Sequence, residues 1–157
     1  MSILSLAEFR AAIATRRRCA GLDLGEKTIG LALSDILLTV ATPYGILDRG
    51  KFSTNAQELE GIATREGAGG YVIGLPLNMD GSAGPSAQSA RAFARNLAAQ
   101  SDLPILLWDE RLSTAAVQRD MIAADVTRKR RAQSVDKAAA AYILQSALDA
   151  MRNLPPE

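Results

Sequence analysis

Three short stretches hold the residues whose types could do chemistry. Asp23 stands in Gly21-Leu22-Asp23-Leu24-Gly25, inside a segment that reads as a strand over Cys19–Gly25. Alternation along a strand puts Gly21, Asp23 and Gly25 on one face and Ala20, Leu22 and Leu24 on the other. A carboxylate in mid-strand runs against strand propensity, and the glycines on both sides clear space for a phosphate or a metal ion. The same pattern also fits a solvated polar face. Asp109 and Glu110 follow the apolar run Ile105–Trp108, at the kind of strand end where open sheets bind ligands. Alternation lets only one of the two point into a given face, and the residues alone leave open which. Asp136 begins a long, alanine-rich helix over Val135–Met151. An acid in a first turn offsets the helix dipole with no further role. The run Ala138–Ala141, however, lets this helix pack very close to a sheet and would bring Asp136 near the other acids.

The chain of 157 residues contains no histidine. That excludes histidine triads, histidine zinc sites and the commonest general base. Three carboxylates on one site repel each other unless a cation neutralises them. Ligation by oxygen alone points to Mg²⁺ or Mn²⁺ rather than zinc. Two such ions can activate water and stabilise the leaving oxygen of a phosphodiester.

A nucleic-acid partner has to be argued from local charge, because the net charge is only +1. Arg128-Lys129-Arg130-Arg131 is the densest basic run, in a polar segment over Asp125–Gln133 that reads as flexible. Phosphate contacts there would make binding salt-sensitive. Lys27, Arg111 and Lys137 lie close in sequence to the three acids and are further candidates for phosphate contact. The loop from Gly74 to Gly84 leads from a strand into a helix, where backbone amides favour anions. Its Asn78 and Ser82 could touch a nucleic-acid backbone.

These residues need a scaffold. Three strands come first: Cys19–Gly25, Thr28–Ser34 and Val40–Leu47, an antiparallel meander in which Pro43 argues for a bulge or an edge. Strand and helix then alternate. A helix over Ser53–Glu66 leads to a strand over Tyr71–Leu75 that is apolar enough to be buried on both faces. A helix over Pro85–Gln100 has proline where a first turn tolerates it. The strand Ile105–Trp108, a helix over Ser113–Ala124 capped by Ser113, and the final helix complete the pattern. The expectation is an α/β fold with a mixed, five-stranded sheet and helices on both faces. Residues 1–18 read as a helical extension with an amphipathic helix over Ser5–Thr15, residues 19–151 as one domain, and residues 152–157 as a tail. The single cysteine, Cys19, allows no internal disulfide and suits a reducing compartment. No apolar run approaches the roughly 20 residues of a membrane span. Arg16–Arg18 follow the first apolar stretch, the reverse of a signal peptide. The expected compartment is the cytoplasm.

The motifs also resemble a known family. Gly21-Leu22-Asp23-Leu24-Gly25 with Ile29-Gly30-Leu31-Ala32-Leu33-Ser34-Asp35, then Gly74-Leu75-Pro76-Leu77-Asn78-Met79-Asp80-Gly81-Ser82, are similar to the YqgF family. So are Asp109-Glu110-Arg111-Leu112-Ser113-Thr114 and Val135-Asp136-Lys137-Ala138-Ala139-Ala140. The resemblance runs from about Arg18 to Met151. It implies a ribonuclease H-like fold similar to RuvC-type resolvases, with acidic metal ligands at Asp23, Glu110 and Asp136, and so chooses Glu110 over Asp109. It implies a metal-dependent endonuclease with one of two substrates: the precursor of small-subunit ribosomal RNA, cut in maturation of its 5′ end, or a four-way DNA junction. A non-catalytic ribosome-assembly factor is the third expectation, and the acting form is expected to be a monomer or a homodimer.

Overall fold

The computed structural model describes residues 3–112 and 128–155, and for residues 128–137 the backbone alone. The elements are β1 (Ile3–Leu4), α1 (Leu6–Ala12), β2 (Arg18–Leu24), β3 (Thr28–Ser34), β4 (Ala41–Asp48), α2 (Phe52–Glu66), β5 (Ala68–Leu75), α3 (Pro85–Gln100), β6 (Ile105–Asp109), a single 3₁₀ turn at Glu110–Leu112, and α4 (Arg128–Arg152). The expected helix over Ser113–Ala124 lies outside the described residues.

One six-stranded sheet runs in the order β1-β6-β5-β2-β3-β4. β2, β3 and β4 form the antiparallel meander. β5 pairs parallel with β2, and β6 parallel with β5. β4 is an edge, and its register with β3 shifts between Leu31 and Ala32, opposite Pro43 and Gly45. Proline cannot donate to a ladder, so it is found at edges and bulges. All eight residues of β5 are buried, as its unbroken apolar run requires of a central strand.

The sheet has six strands where the sequence pattern predicts five. The extra strand, β1, pairs parallel with β6 through Ile3 and Leu4, and two residues are too few to show any periodicity. It belongs to the segment read as an extension, and that segment joins the core. A capping box at Ser5 starts α1, with the Ser5 hydroxyl accepting from the Glu8 amide and the Glu8 carboxylate accepting from the Ser5 amide. Phe9 and Ile13 are buried under this segment. Burial of a side chain like Phe9 is worth about 2–3 kcal/mol.

Helices cover both faces. Phe9, Ile13, Cys19, Val72, Leu106 and Trp108 share one core with Ala139, Ala140, Ile143, Leu144, Ala147, Leu148 and Met151 of α4. That spacing is a continuous helical stripe. Ala20, Leu22, Ile29, Tyr71, Ile73 and Ile105 share the other core with Leu59 and Ala63 of α2 and Phe93 and Leu97 of α3. Among the described residues no helix is long and apolar enough to cross a membrane.

α4 begins at Arg128, not near Val135. The basic run Arg128–Arg131 is therefore helical backbone and not a flexible connector. Lysine and arginine are good helix formers, and their charge hid the continuation of the helix in the sequence.

Candidate functional site

Asp23 is only 6% exposed, so the solvated-face reading of its strand fails. The burial follows from register. Leu22 pairs with Ile73 and both belong to the α2/α3 core, so Asp23 and Gly74, one step on, face α4. The residue opposite Asp23 on β3 is Gly30, and directly opposed residues share a face. Glycines on three strands thus surround this carboxylate. Sequence spacing shows Gly21 and Gly25, whereas Gly30 and Gly74 become visible only once the strands pair. At Gly21 a Cβ would lie 2.8 Å from the Cβ of Leu144 and 3.1 Å from the carbonyl oxygen of Ala140. α4 therefore rides on the bare backbone of β2, as its alanine run predicts.

Glu110 opens the 3₁₀ turn directly after β6. Its side chain lies across Gly74, where a Cβ would stand 3.2 Å from Glu110 Cγ and 3.3 Å from Cδ. Glu110 and Asp23 thus lie on the same face at the C-terminal ends of β6 and β2, parallel strands separated by β5. Asp109 faces the other way. Its partner across the ladder is Leu75, which packs with Ala87 and Ala90 of α3. The Asp109 carboxylate holds Arg111 in a fork, accepting from Nη2 at 2.7 Å, from Nε at 3.1 Å and from the Arg111 amide at 2.9 Å. The hydrogen bonds from Arg111 hold the Asp109 carboxyl below its ordinary pKa. The structure therefore separates two acids that the residue pattern leaves equivalent.

The side chain of Asp136 lies outside the described residues, and so do those of Arg128, Lys129, Arg130, Arg131 and Lys137. The direction of α4 is described. Gln145 reaches the β3–β4 hairpin, donating to the carbonyl of Thr39 at 3.0 Å and accepting from the amide of Ala41 at 2.8 Å. Ala41 pairs with Ser34, the last residue of β3, whose hydroxyl accepts from the amide of Cys19 near the start of β2, while Ala140 and Leu144 cover Gly21. α4 therefore runs antiparallel to β2. Going from Ala140 back to Asp136 covers about 6 Å of helix, and going from Gly21 to Asp23 covers about 6.6 Å of strand. The helix backbone at Asp136 is thus directed toward the Asp23 end of the sheet. Among the described residues no three acidic or thiol side chains form a metal-binding group.

Lys27, Asn78, Ser82 and Arg111 fall at the same end of the sheet. Lys27 is exposed in the β2–β3 turn, where its carbonyl accepts from the Arg49 amide at 2.9 Å. Asn78 and Ser82 are exposed and bound to each other, Asn78 Nδ2 donating to Ser82 Oγ at 2.9 Å. Arg111 is committed to Asp109 and to the carbonyl of Met79. One residue that sequence reasoning missed is Arg49. It donates to the Gly25 carbonyl at 2.7 Å and to Ser89 Oγ at 2.8 Å, tying the turn after Asp23 to α3. Cys19 takes no part: burial pushes its thiol up to about 12, far from the reactive thiolate.

A sequence model described as "RuvX: Holliday junction resolvase" matches residues 17–150. The chain belongs to the RuvX family. The three candidate acids, Asp23, Glu110 and Asp136, lie inside the matched range, while β1 and α1 precede it. Two RuvX relatives carry the name "Putative pre-16S rRNA nuclease". One, from Rhodospirillum rubrum, is 57% identical over 100% of this chain and 98% of its own length. The other, from Chelativorans, is 54% identical over 98% of this chain and 96% of its own length. Among solved structures, RuvC of T. thermophilus in complex with a Holliday junction substrate superposes with a TM-score of 0.55 at 13% identity, covering 87% of this chain and 96% of that one. The yeast mitochondrial Holliday junction resolvase Ydc2 superposes at 0.51 with 11% identity, over 94% of this chain and 84% of that one. These likenesses show that the RuvX chain has the ribonuclease H-like fold of RuvC.

Proposed function

We propose that this chain is a metal-dependent endonuclease that cleaves precursor 16S ribosomal RNA, with Asp23, Glu110 and Asp136 as its metal ligands. The observation that carries the reading is the placement of Asp23 and Glu110. Both lie on the α4 face of the sheet, Asp23 on β2 opposite Gly30, and Glu110 after β6 with its side chain across Gly74 of the intervening β5. The names of the relatives supply the substrate class.

The donor set fits a hard divalent cation. Asp23 and Glu110 offer only carboxylate oxygen, and no histidine exists in the chain to recruit zinc. Bound Mg²⁺ or Mn²⁺, as a pair in this reading, would supply an activated water and charge stabilisation at the leaving oxygen. The protein's own part is to hold the acids rigidly. Asp23 is fixed inside a ladder between β3 and β5, and Glu110 by the turn that ends β6. Asp136 would join them from α4, whose approach is set by Gly21. Lys27, Asn78, Ser82, Lys137 and Arg128–Arg131 would guide the phosphate backbone, and the cytoplasm is the expected setting.

The test is Asp23→Asn. The expected outcome is loss of Mg²⁺- or Mn²⁺-dependent cleavage with an unchanged unfolding curve; full cleavage by the variant would refute the assignment. Holliday junction resolution is the second reading, favoured by the description of the RuvX family. Symmetric nicks in a four-way junction, at rates above those on precursor RNA and by a homodimer, would select it. Binding to small-subunit precursors that survives Asp23→Asn, with no cleavage by the native protein, would select an assembly factor.

A further inference from the structure

We infer that Arg111 is a positioning residue: with Asp109 it clamps the Leu77–Gly84 loop to the end of β6, and it makes no contact with a phosphate. Every nitrogen of its guanidinium is already donating. Nε and Nη2 hold the Asp109 carboxylate, and Nη1 donates to the carbonyl of Met79 at 3.3 Å. The side chains of Arg111 and Asp109 are 33% and 20% exposed. An arginine fork of this kind is bidentate and directional, unlike a mobile surface cation.

The loop it reaches is organised around that contact. The Asn78 amide donates to the Ser82 carbonyl at 2.9 Å, and the Gly81 amide to the Asn78 carbonyl at 2.8 Å. Asp80 accepts from the Ser82 amide at 2.9 Å and from its hydroxyl at 2.6 Å. Gly81 sits at φ +89°, and a Cβ there would lie 3.5 Å from Arg111 Nη1. Only glycine fits that backbone readily, and the guanidinium lies directly under the turn. Met79, at the tip, is 88% exposed. The loop thus presents Asn78, Met79 and Ser82 as a fixed wall beside Glu110, the residue between the two halves of the clamp. That wall would contact nucleic acid, and this part of the inference rests on the nuclease reading above.

The test compares Arg111→Ala, Arg111→Lys, Asp109→Ala and the double alanine variant with the native protein. Amide hydrogen exchange at residues 78–82 is measured first. Loss of a charged hydrogen-bonded clamp should speed exchange there about tenfold in all four variants, with β2 and β5 amides unchanged. The double variant should be no faster than either single one. Unchanged protection of the loop overturns the clamp. Affinity for a single-stranded RNA oligonucleotide, without divalent metal, is then measured across a salt series. The clamp predicts equal weakening in Arg111→Ala and Asp109→Ala with the native salt slope. A slope reduced by about 0.7 in Arg111→Ala alone, with Arg111→Lys binding normally, makes Arg111 a phosphate contact and overturns the inference. If the native protein binds no RNA, the nuclease reading fails, and the exchange result still decides the clamp.

Discussion

On the face covered by α2 and α3, β2 presents Ala20 and Leu22 and β5 presents Tyr71 and Ile73, against Leu59, Phe93 and Leu97. On the face covered by α4, the same two strands present Gly21, Asp23 and Gly74. Large apolar side chains hold one face at a distance set by their volume. On the other, missing side chains at Gly21 and Gly74 let α4 and Glu110 approach the backbone, and Asp23 stands beside them. The first face therefore answers to the physics of packing, the second to steric clearance. Substitutions should behave differently on the two.

The largest loss of stability should come from the packed face. Leu97→Ala leaves a cavity among fully buried neighbours and should cost about 3 kcal/mol in denaturant unfolding, while cleavage per folded molecule stays at the native rate. A deficit in cleavage would mean that the faces are not separable. Gly21→Ala comes next, at about 2 kcal/mol. Its new methyl meets Leu144 Cβ and the Ala140 carbonyl, atoms fixed to the helix backbone, so α4 must lift. Weaker Mn²⁺ binding should accompany the loss if Asp136 approaches on α4. Gly74→Ala should cost only about 1 kcal/mol, because it meets the movable ends of Ile143 and Glu110. Its effect should fall on chemistry: displacing Glu110 by about 1 Å is expected to slow cleavage about a hundredfold. Native cleavage rates in this variant would remove Glu110 from the site.

The smallest effect concerns a carboxylate with a purely structural role. Asp35, at the far end of β3 from Asp23, accepts from the amides of Thr39 and Val40 and from the Thr39 hydroxyl. That hydroxyl, with the two amides, lowers its carboxyl to about 2. A lowered carboxyl stabilises the fold above its ordinary value and loses that contribution as pH falls through the folded one. Asp35→Asn should therefore lower the melting temperature slightly at pH 7. The deficit should shrink from about pH 4 and vanish near pH 2. A deficit constant with pH would mean the hairpin does not depend on the charge.

Much of this arrangement was legible in the sequence where the signal is local. Pro43 marked an edge and a bulge, the β5 run marked a central strand, and α3 spans Pro85–Gln100 as its periodicity predicts. The alternation of β2 placed Asp23 on the correct face. What escaped depends on pairing or on brevity. β1 has two residues, too few for a pattern. Gly30 and Gly74 join the site only through register. The Asp109–Arg111 fork was hidden because it closes across the turn that ends β6, where strand periodicity stops. The start of α4 was hidden by charges that read as a connector.

The central claim is that Asp23 and Glu110 on the sheet, and Asp136 on α4, converge on a cation. A crystal soaked in Mn²⁺ tests it most directly, through the anomalous density of the metal. The account predicts one or two peaks ligated by carboxylate oxygens of all three residues. Three ordered carboxylates pointing apart, with no peak between them at saturating Mn²⁺, would contradict it.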